Sequence, residues 1–148
     1  MTARSTPDPV ITARVQRIFS AAAFLDLLGI TLCGAGDGWC ETRLPVAGRL
    51  LQQHGFVHAG VVSTLADHTA GGAARSSLGD DQDVITIEYK INFLKPAAGD
   101  RLEGRGTVLR VGRSVVVAES EVFAVKDRER TLVSKCLSTL AVITRPPG

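Results

Sequence analysis

One carboxylate draws attention by where it sits. In the stretch from His54 to Ala74, the residues from about Ala59 to Ser77 read as one helix. Val62, Leu65, Ala66, Thr69 and Ala73 recur at the spacing of a single apolar stripe. At about 100° per residue, the opposite face carries Gly60, Ser63, Asp67, Gly71 and Ala74. A helix face left to water carries lysine, glutamate or arginine. This face carries small residues and one charge, so a second chain or a ligand must lie close against it. An ionised group in a covered place needs a partner or a role. Asp67 is therefore either a reacting carboxylate or a structural one held by hydrogen bonds.

The rest of the chain bounds what that group serves. With 148 residues and a net charge of +2, the chain fits one domain with an ordinary core. The charge is too small and too scattered for a nucleic-acid partner. Cys33, Cys40 and Cys136 are an odd number without C-x-x-C spacing, which reads as reduced thiols. His54 and His58 lack a third ligand, so no metal is expected. Met1 to Pro9 has no basic-then-apolar leader, and no apolar run approaches a membrane span. The expectation is a cytoplasmic protein with no membrane or nucleic-acid partner and no cofactor.

The elements that position Asp67 follow from periodicity. Residues 1–9, with two prolines, are expected to form a disordered tail, and 10–148 a single domain. Val10 to Phe19 and Ala21 to Leu28 read as short helices, with Gly29 as a C-cap. Ile30 to Cys33 and Trp39 to Pro45 read as strands joined by a glycine-rich turn. After the long helix, Ile85, Ile87, Tyr89, Ile91 and Phe93 alternate with Thr86, Glu88, Lys90 and Asn92, a strand with one apolar face. Leu102 to Leu109, Ser114 to Val125 and Thr131 to Ile143 complete four strands joined by short turns, which implies antiparallel neighbours. The fold class is α+β: one long helix wrapped by a curved antiparallel sheet on its Val62/Leu65/Thr69/Ala73 face.

From Leu27 to Ile143 the chain resembles the PaaI-type hotdog-fold acyl-CoA thioesterases. The resemblance rests on Gln52-Gln-His-Gly55-Phe-Val-His58-Ala59-Gly60, with Asp67 nine residues after His58. It extends through Thr86-Ile-Glu-Tyr-Lys-Ile-Asn92-Phe-Leu-Lys-Pro96 and the basic turn Arg110-Val-Gly112-Arg113. Gln52 stands where many members carry asparagine, and Ala59 where many carry glycine. The resemblance implies a hotdog fold, hydrolysis of an acyl-CoA substrate, and a homodimer or a tetramer of two dimers. It also implies roles for named residues. Asp67 is the base or nucleophile, Gln52 lies on the oxyanion side, and the Thr86 hydroxyl holds the attacking water. His58 shapes the loop and, with Gly60, belongs to the substrate-binding part of the motif. Arg110, Gly112 and Arg113 form the turn that meets coenzyme A.

The chemistry supports a shared site. A thioester needs one group to activate water or attack the carbonyl, and another to stabilise the oxyanion. No serine sits in a G-x-S-x-G elbow and no cysteine has an evident histidine partner, which leaves Asp67 for the first task. The Ala59 N–H, at a helix start with its partial positive charge, suits the second. The two lie eight residues apart, about 12 Å along a helix. A thioester carbon must sit within roughly 3–3.5 Å of its attacker while its oxygen meets the donors. One helix cannot supply both, but two antiparallel helices from two chains can. The alternatives are a non-catalytic acyl-CoA binding module, which the presence of Asp67 argues against, and a hotdog dehydratase or hydratase, which uses a different His-with-acid pattern.

Overall fold

The structure is a computed structural model that describes residues 6–145. Its elements are α1 (Pro9–Ala21), α2 (Ala23–Leu28), β1 (Thr31–Gly36), β2 (Trp39–Pro45), a 3-10 turn (Gly48–Leu50), α3 (Ala59–Ser76), β3 (Gln82–Phe93), β4 (Arg101–Val111), β5 (Val115–Lys126) and β6 (Glu129–Thr144). Of the expected tail, residues 1–5 lie outside the described residues. Asp8 and Pro9 differ from that expectation. Asp8 Oδ1 accepts from the N–H groups of Val10 and Ile11 at 2.8 and 3.0 Å, and Pro9 opens α1. An aspartate N-cap followed by proline is a strong helix start, because proline has no N–H to leave unpaired. The Asp8 N–H also bonds the Ala35 carbonyl, which ties the chain start to β1.

All six strands form one antiparallel sheet in the order β1-β2-β4-β5-β6-β3. The run of short turns suggested that β3 would pair with β4. Instead β3 crosses to the far edge and pairs with β6. Three strand spacings are about 14 Å. The residues 94–100 can span up to ~24 Å when extended. The crossing is anchored where Val57 N–H bonds the Ala97 carbonyl and Val46 N–H bonds that of Asp100.

The sheet covers the predicted stripe of α3: Val62, Leu65, Ala66, Thr69 and Ala73 are all buried. The helix sits close on β4 because Gly104 and Gly106 leave room for Thr69. A side chain at Gly106 would begin 2.5 Å from the Thr69 carbonyl oxygen. The Thr69 and Thr42 hydroxyls share a buried 2.6 Å hydrogen bond, which fixes α3 along β2. Of the expected small face, Gly60, Ser63, Asp67 and Gly71 retain exposure, but Ala74 does not. It is packed in a second apolar cluster with Leu78, Val116, Ala118 and Leu140.

Strand β3 departs from the simple alternation. A bulge between Thr86 and Glu88 leaves Ile87 without a partner in β6. Thr86 pairs with buried Leu140, whereas Tyr89, Ile91 and Phe93 pair with Ser138, Cys136 and Ser134, all buried. One extra residue reverses the side-chain alternation. Thr86 thus shares the helix side with Tyr89, Ile91 and Phe93, while Ile85 and Glu88 take the other face. As the edge strand, β3 leaves Ile85, Ile87, Tyr89 and Phe93 exposed.

Candidate active site

The first turn of α3 is built by His58. Its Nδ1 accepts the Gly60 N–H at 2.9 Å, and its carbonyl accepts from Val61 and Val62 at 3.0 and 3.2 Å. Histidine thus serves as the N-cap acceptor, which requires an unprotonated Nδ1. A side chain at Gly60 would begin 3.1 Å from that nitrogen, so glycine leaves space for the ring. With the Gly60 N–H taken, this residue offers no backbone donor to a substrate. The Ala59 N–H, by contrast, has no acceptor among the described residues. It faces the free end of the helix, where partial positive charge collects.

Gln52 lies beside it. The loop from Gln52 to Phe56 is closed by hydrogen bonds from Gln52 N–H to the Phe56 carbonyl and from Gly55 N–H to the Gln52 carbonyl. Gly55 adopts φ 81°, a turn that favours glycine. The Gln52 Oε1 accepts the His54 N–H, which holds the side chain against its own loop. Its amide NH2 has no acceptor among the described residues and is left to donate. Gln52, His58 and Ala59 line a cavity of about 500 Å³ whose other walls include Phe56, Phe93 and Lys95.

Asp67 lies two turns further along α3. Thr86 Oγ1 donates to its Oδ1 at 2.9 Å across the gap between α3 and β3. Burial raises the Asp67 pKa above the ordinary carboxylate value, and the Thr86 hydrogen bond opposes that rise. A carboxylate with a raised pKa is a stronger base than an exposed one. Cys136 is a buried thiol, pushed up by burial and further by the Asp67 charge. Such a thiol is a poor nucleophile, which leaves Asp67 as the candidate reacting group here.

Asp67 and Thr86 line a second cavity of about 350 Å³. The cavity is separate from the one at Ala59. One chain therefore presents two separate groupings: an unpaired N–H at the start of α3, and a carboxylate with a hydroxyl near its middle. Two contributors to the second cavity were not foreseen. One is His68. Its ring meets Phe19 edge to face, with centroids 4.7 Å apart, and its Nε2 is buried without a partner. Burial lowers its pKa, which favours the neutral imidazole. The other contributor is α1, through Ile18 and Ala21. Nothing in the sequence spacing relates α1 to Asp67, because only the tertiary packing joins them.

The basic turn lies between β4 and β5. Gly112 N–H bonds the Val115 carbonyl at 2.8 Å, and an added Cβ would fall 2.7 Å from that oxygen, which accounts for the glycine. Arg110 and Arg113 are exposed and form no ion pair among the described residues. Val115 pairs with Ala141, and Ala141 with Ile85. The turn therefore stands at the Asp67 end of the sheet, away from Ala59 of its own chain. Among the described residues, no group of three histidine, cysteine, aspartate or glutamate side chains is placed to hold a metal. No helix among them is long and apolar enough to cross a membrane.

One helix held against a curved six-stranded antiparallel sheet is the hotdog architecture. Residues 54–131 match the family model described as the thioesterase superfamily, and the chain belongs to that superfamily as a thioester hydrolase. It is 35% identical to a thioesterase family protein of Silicibacter pomeroyi, whose structure aligns with TM-score 0.87 over 89% of this chain and 97% of that one. A 1,4-dihydroxy-2-naphthoyl-CoA hydrolase of Listeria monocytogenes is 27% identical over 118 residues, 79% of this chain and 93% of that protein. The PaaI protein of the E. coli phenylacetic acid degradation operon shares the fold, with TM-score 0.78 and 22% identity over 92% of this chain and 93% of its own.

Proposed function

We propose that the protein hydrolyses acyl-CoA thioesters to a carboxylic acid and free coenzyme A, at two sites shared between the chains of a homodimer. The observation that carries this reading is the division of the chemistry: the unpaired Ala59 N–H and the Asp67–Thr86 pair open onto different cavities of one chain. Along α3 they are about 12 Å apart. A second chain, with its helix antiparallel to the first, brings one end against the other. The exposed apolar residues of edge strand β3 support such pairing, since a long apolar edge is an association surface. Two such dimers form the tetramer that the family resemblance implies.

In this site the Ala59 N–H and the Gln52 amide of one chain stabilise the oxyanion. Asp67 of the other chain either takes a proton from water that Thr86 helps to hold, or attacks the thioester carbon itself. His58 positions Ala59 through the helix cap. Arg110 and Arg113, held out by the Gly112 turn, meet coenzyme A phosphates. The cytoplasm is the compartment that fits such substrates and the buried thiols of Cys40 and Cys136.

The test is turnover of a panel of acyl-CoAs, followed by release of free thiol. Asp67→Asn, nearly isosteric, is expected to retain the fold and lose about 10²–10⁴-fold in kcat. Near wild-type turnover by that variant would remove Asp67 from the chemistry.

A further inference from the structure

Among the described residues, Arg75 is the largest side chain that the fold encloses completely. It lies in the last turn of α3 and is 1% exposed. A guanidinium stays charged at any ordinary pH, so burying one calls for acceptors on its N–H groups. Arg75 has few. Its Nη1 donates to the Leu78 carbonyl at 3.3 Å, and its buried Nε has no partner among the described residues. The partial negative charge at the end of α3 favours a cation here, but it gives Nε no acceptor.

Two more arginines come from α1 to the same point. Arg14 Nη1 donates to the Leu78 carbonyl at 2.9 Å, and Arg14 Nε to Asp80 Oδ1 at 2.9 Å. Arg17 Nη2 lies 3.6 Å from that carboxylate oxygen. Among the described residues, three guanidiniums thus share two acceptor atoms, the Leu78 carbonyl oxygen and Asp80 Oδ1. The carboxylates acting on Arg75 are Asp83 and Asp80, against the like charges of Arg14 and Arg17. Three positive charges therefore face two negative ones. Asp83 already spends Oδ1 on the Val84 N–H. Asp80 lies in the connection from α3 to β3, and its side chain is 77% exposed. An ion pair so open to water holds its carboxylate weakly. None of the three arginines lines the cavity at Ala59 or the one at Asp67.

We propose that Arg14, Arg17 and Arg75 form a binding site for a phosphate group where α1 meets the end of α3, with Asp80 as its internal competitor. Phosphate presents several oxygens where Asp80 presents one in contact, and paired guanidinium N–H groups match that geometry. Its charge offsets the excess that the two aspartates leave. Phosphate displaces Asp80 Oδ1 and the Asp80 side chain turns to solvent. Arg14 and Arg17 then hold the phosphate from α1, and Arg75 supplies the buried charge. Binding ties α1 to the connection between α3 and β3, so occupancy stabilises the fold by mass action. The group is either free phosphate or one carried on a nucleotide. The proposal does not depend on the roles of Ala59 or Asp67.

Calorimetric titration and thermal unfolding with inorganic phosphate test it, with chloride at matched ionic strength as the control. Phosphate at about ten times its Kd is expected to raise Tm by about 3–6 °C. Arg17→Gln, altered at a half-exposed side chain, should weaken phosphate about tenfold, the loss of one charged contact. Asp80→Asn should strengthen it, because the competing charge is gone. Arg75→Met should keep its Tm in phosphate-free buffer, since an incompletely paired buried cation adds little stability, and should lose the phosphate response. CoA and dephospho-CoA separate the two sources. A rise in Tm that CoA gives, and that dephospho-CoA and the Arg17→Gln protein do not, puts the phosphate on the nucleotide. A response to inorganic phosphate makes it free. Equal shifts with chloride would be screening of a basic surface and overturn the proposal. So would unchanged phosphate affinity in Arg17→Gln, or no response to phosphate or CoA. A large loss of stability in phosphate-free Arg75→Met makes Arg75 a structural cation and overturns its part in the site.

Discussion

At the scale of single residues, Asp67 is governed by two opposed influences. Burial favours the neutral acid, and the hydrogen bond from Thr86 favours the carboxylate. In the proposed role the base and the nucleophile are both the carboxylate form, so activity is expected to fall as pH drops through the Asp67 pKa. Removing the Thr86 hydroxyl removes the influence that lowers this pKa. Thr86→Val is therefore expected to move the acid limb of the kcat/KM profile to higher pH, with a smaller loss at the plateau than Asp67→Asn causes. A pH–rate profile checks it, and an unmoved limb would mean that the hydroxyl does not sense the reacting form. At this scale much was legible in the sequence. A lone carboxylate on a face of small residues marks Asp67 as a candidate, and the structure places it beside the Thr86 hydroxyl. The partnership with Thr86 was suggested by the family pattern, because no spacing relates residues 67 and 86. The cap made by His58 was open to view only as a loop histidine. Its consequence, that the Gly60 N–H is spent and the Ala59 N–H is not, depends on the ring orientation, which a residue list does not contain.

At the scale of elements, the position of Asp67 depends on how closely α3 lies on β4. Gly106 sets that approach, with the Thr69 carbonyl oxygen 2.5 Å from where a side chain would begin and the Ala73 methyl at 3.1 Å. Both neighbours belong to α3, and backbone cannot rotate aside. Gly106→Ala is expected to lose about 1–3 kcal/mol of stability, the usual cost of overpacking. Activity should fall as well, since Thr69 is two residues from Asp67. Urea denaturation of Gly106→Ala beside the unaltered protein measures the loss. Element identity was readable from periodicity, and the α3 span differed by one residue at its end. The path of β3 was not. Its seven-residue connection to β4 is short enough to suggest a hairpin, yet it runs from the edge strand to a strand three positions in. The bulge at Ile87 is likewise silent, because an alternation of apolar residues continues through it unbroken while the chain reverses face.

At the scale of the whole molecule, the proposed reading has one chain carry all the reacting groups without being able to use them together. The start and the middle of α3 open onto separate cavities. In the proposed dimer a two-fold axis joins each start to the other middle, which makes every site composite. Subunit mixing tests this directly. Asp67→Asn disables the carboxylate half, and Gln52→Ala the oxyanion half. Each homodimer contains two damaged sites. In a heterodimer one site takes Asp67 from the Gln52→Ala chain and Gln52 from the Asp67→Asn chain, and is whole, while the other site carries both lesions. Random reassembly after joint unfolding makes about half of the dimers mixed, with one working site of two, so activity should recover to roughly a quarter of the unaltered protein. Loss of the Gln52 side chain also frees the His54 N–H that it accepts, so the Gln52→Ala protein needs its own check of folding by circular dichroism. Each variant refolded alone is the control for activity. With Gln52→Ala clearly impaired and heterodimers confirmed by mass spectrometry, no gain on mixing would place both halves of the chemistry within one chain. That outcome would require α3 to bend or the substrate to reach about 12 Å between its carbonyl contacts, and a single thioester carbon cannot do the second.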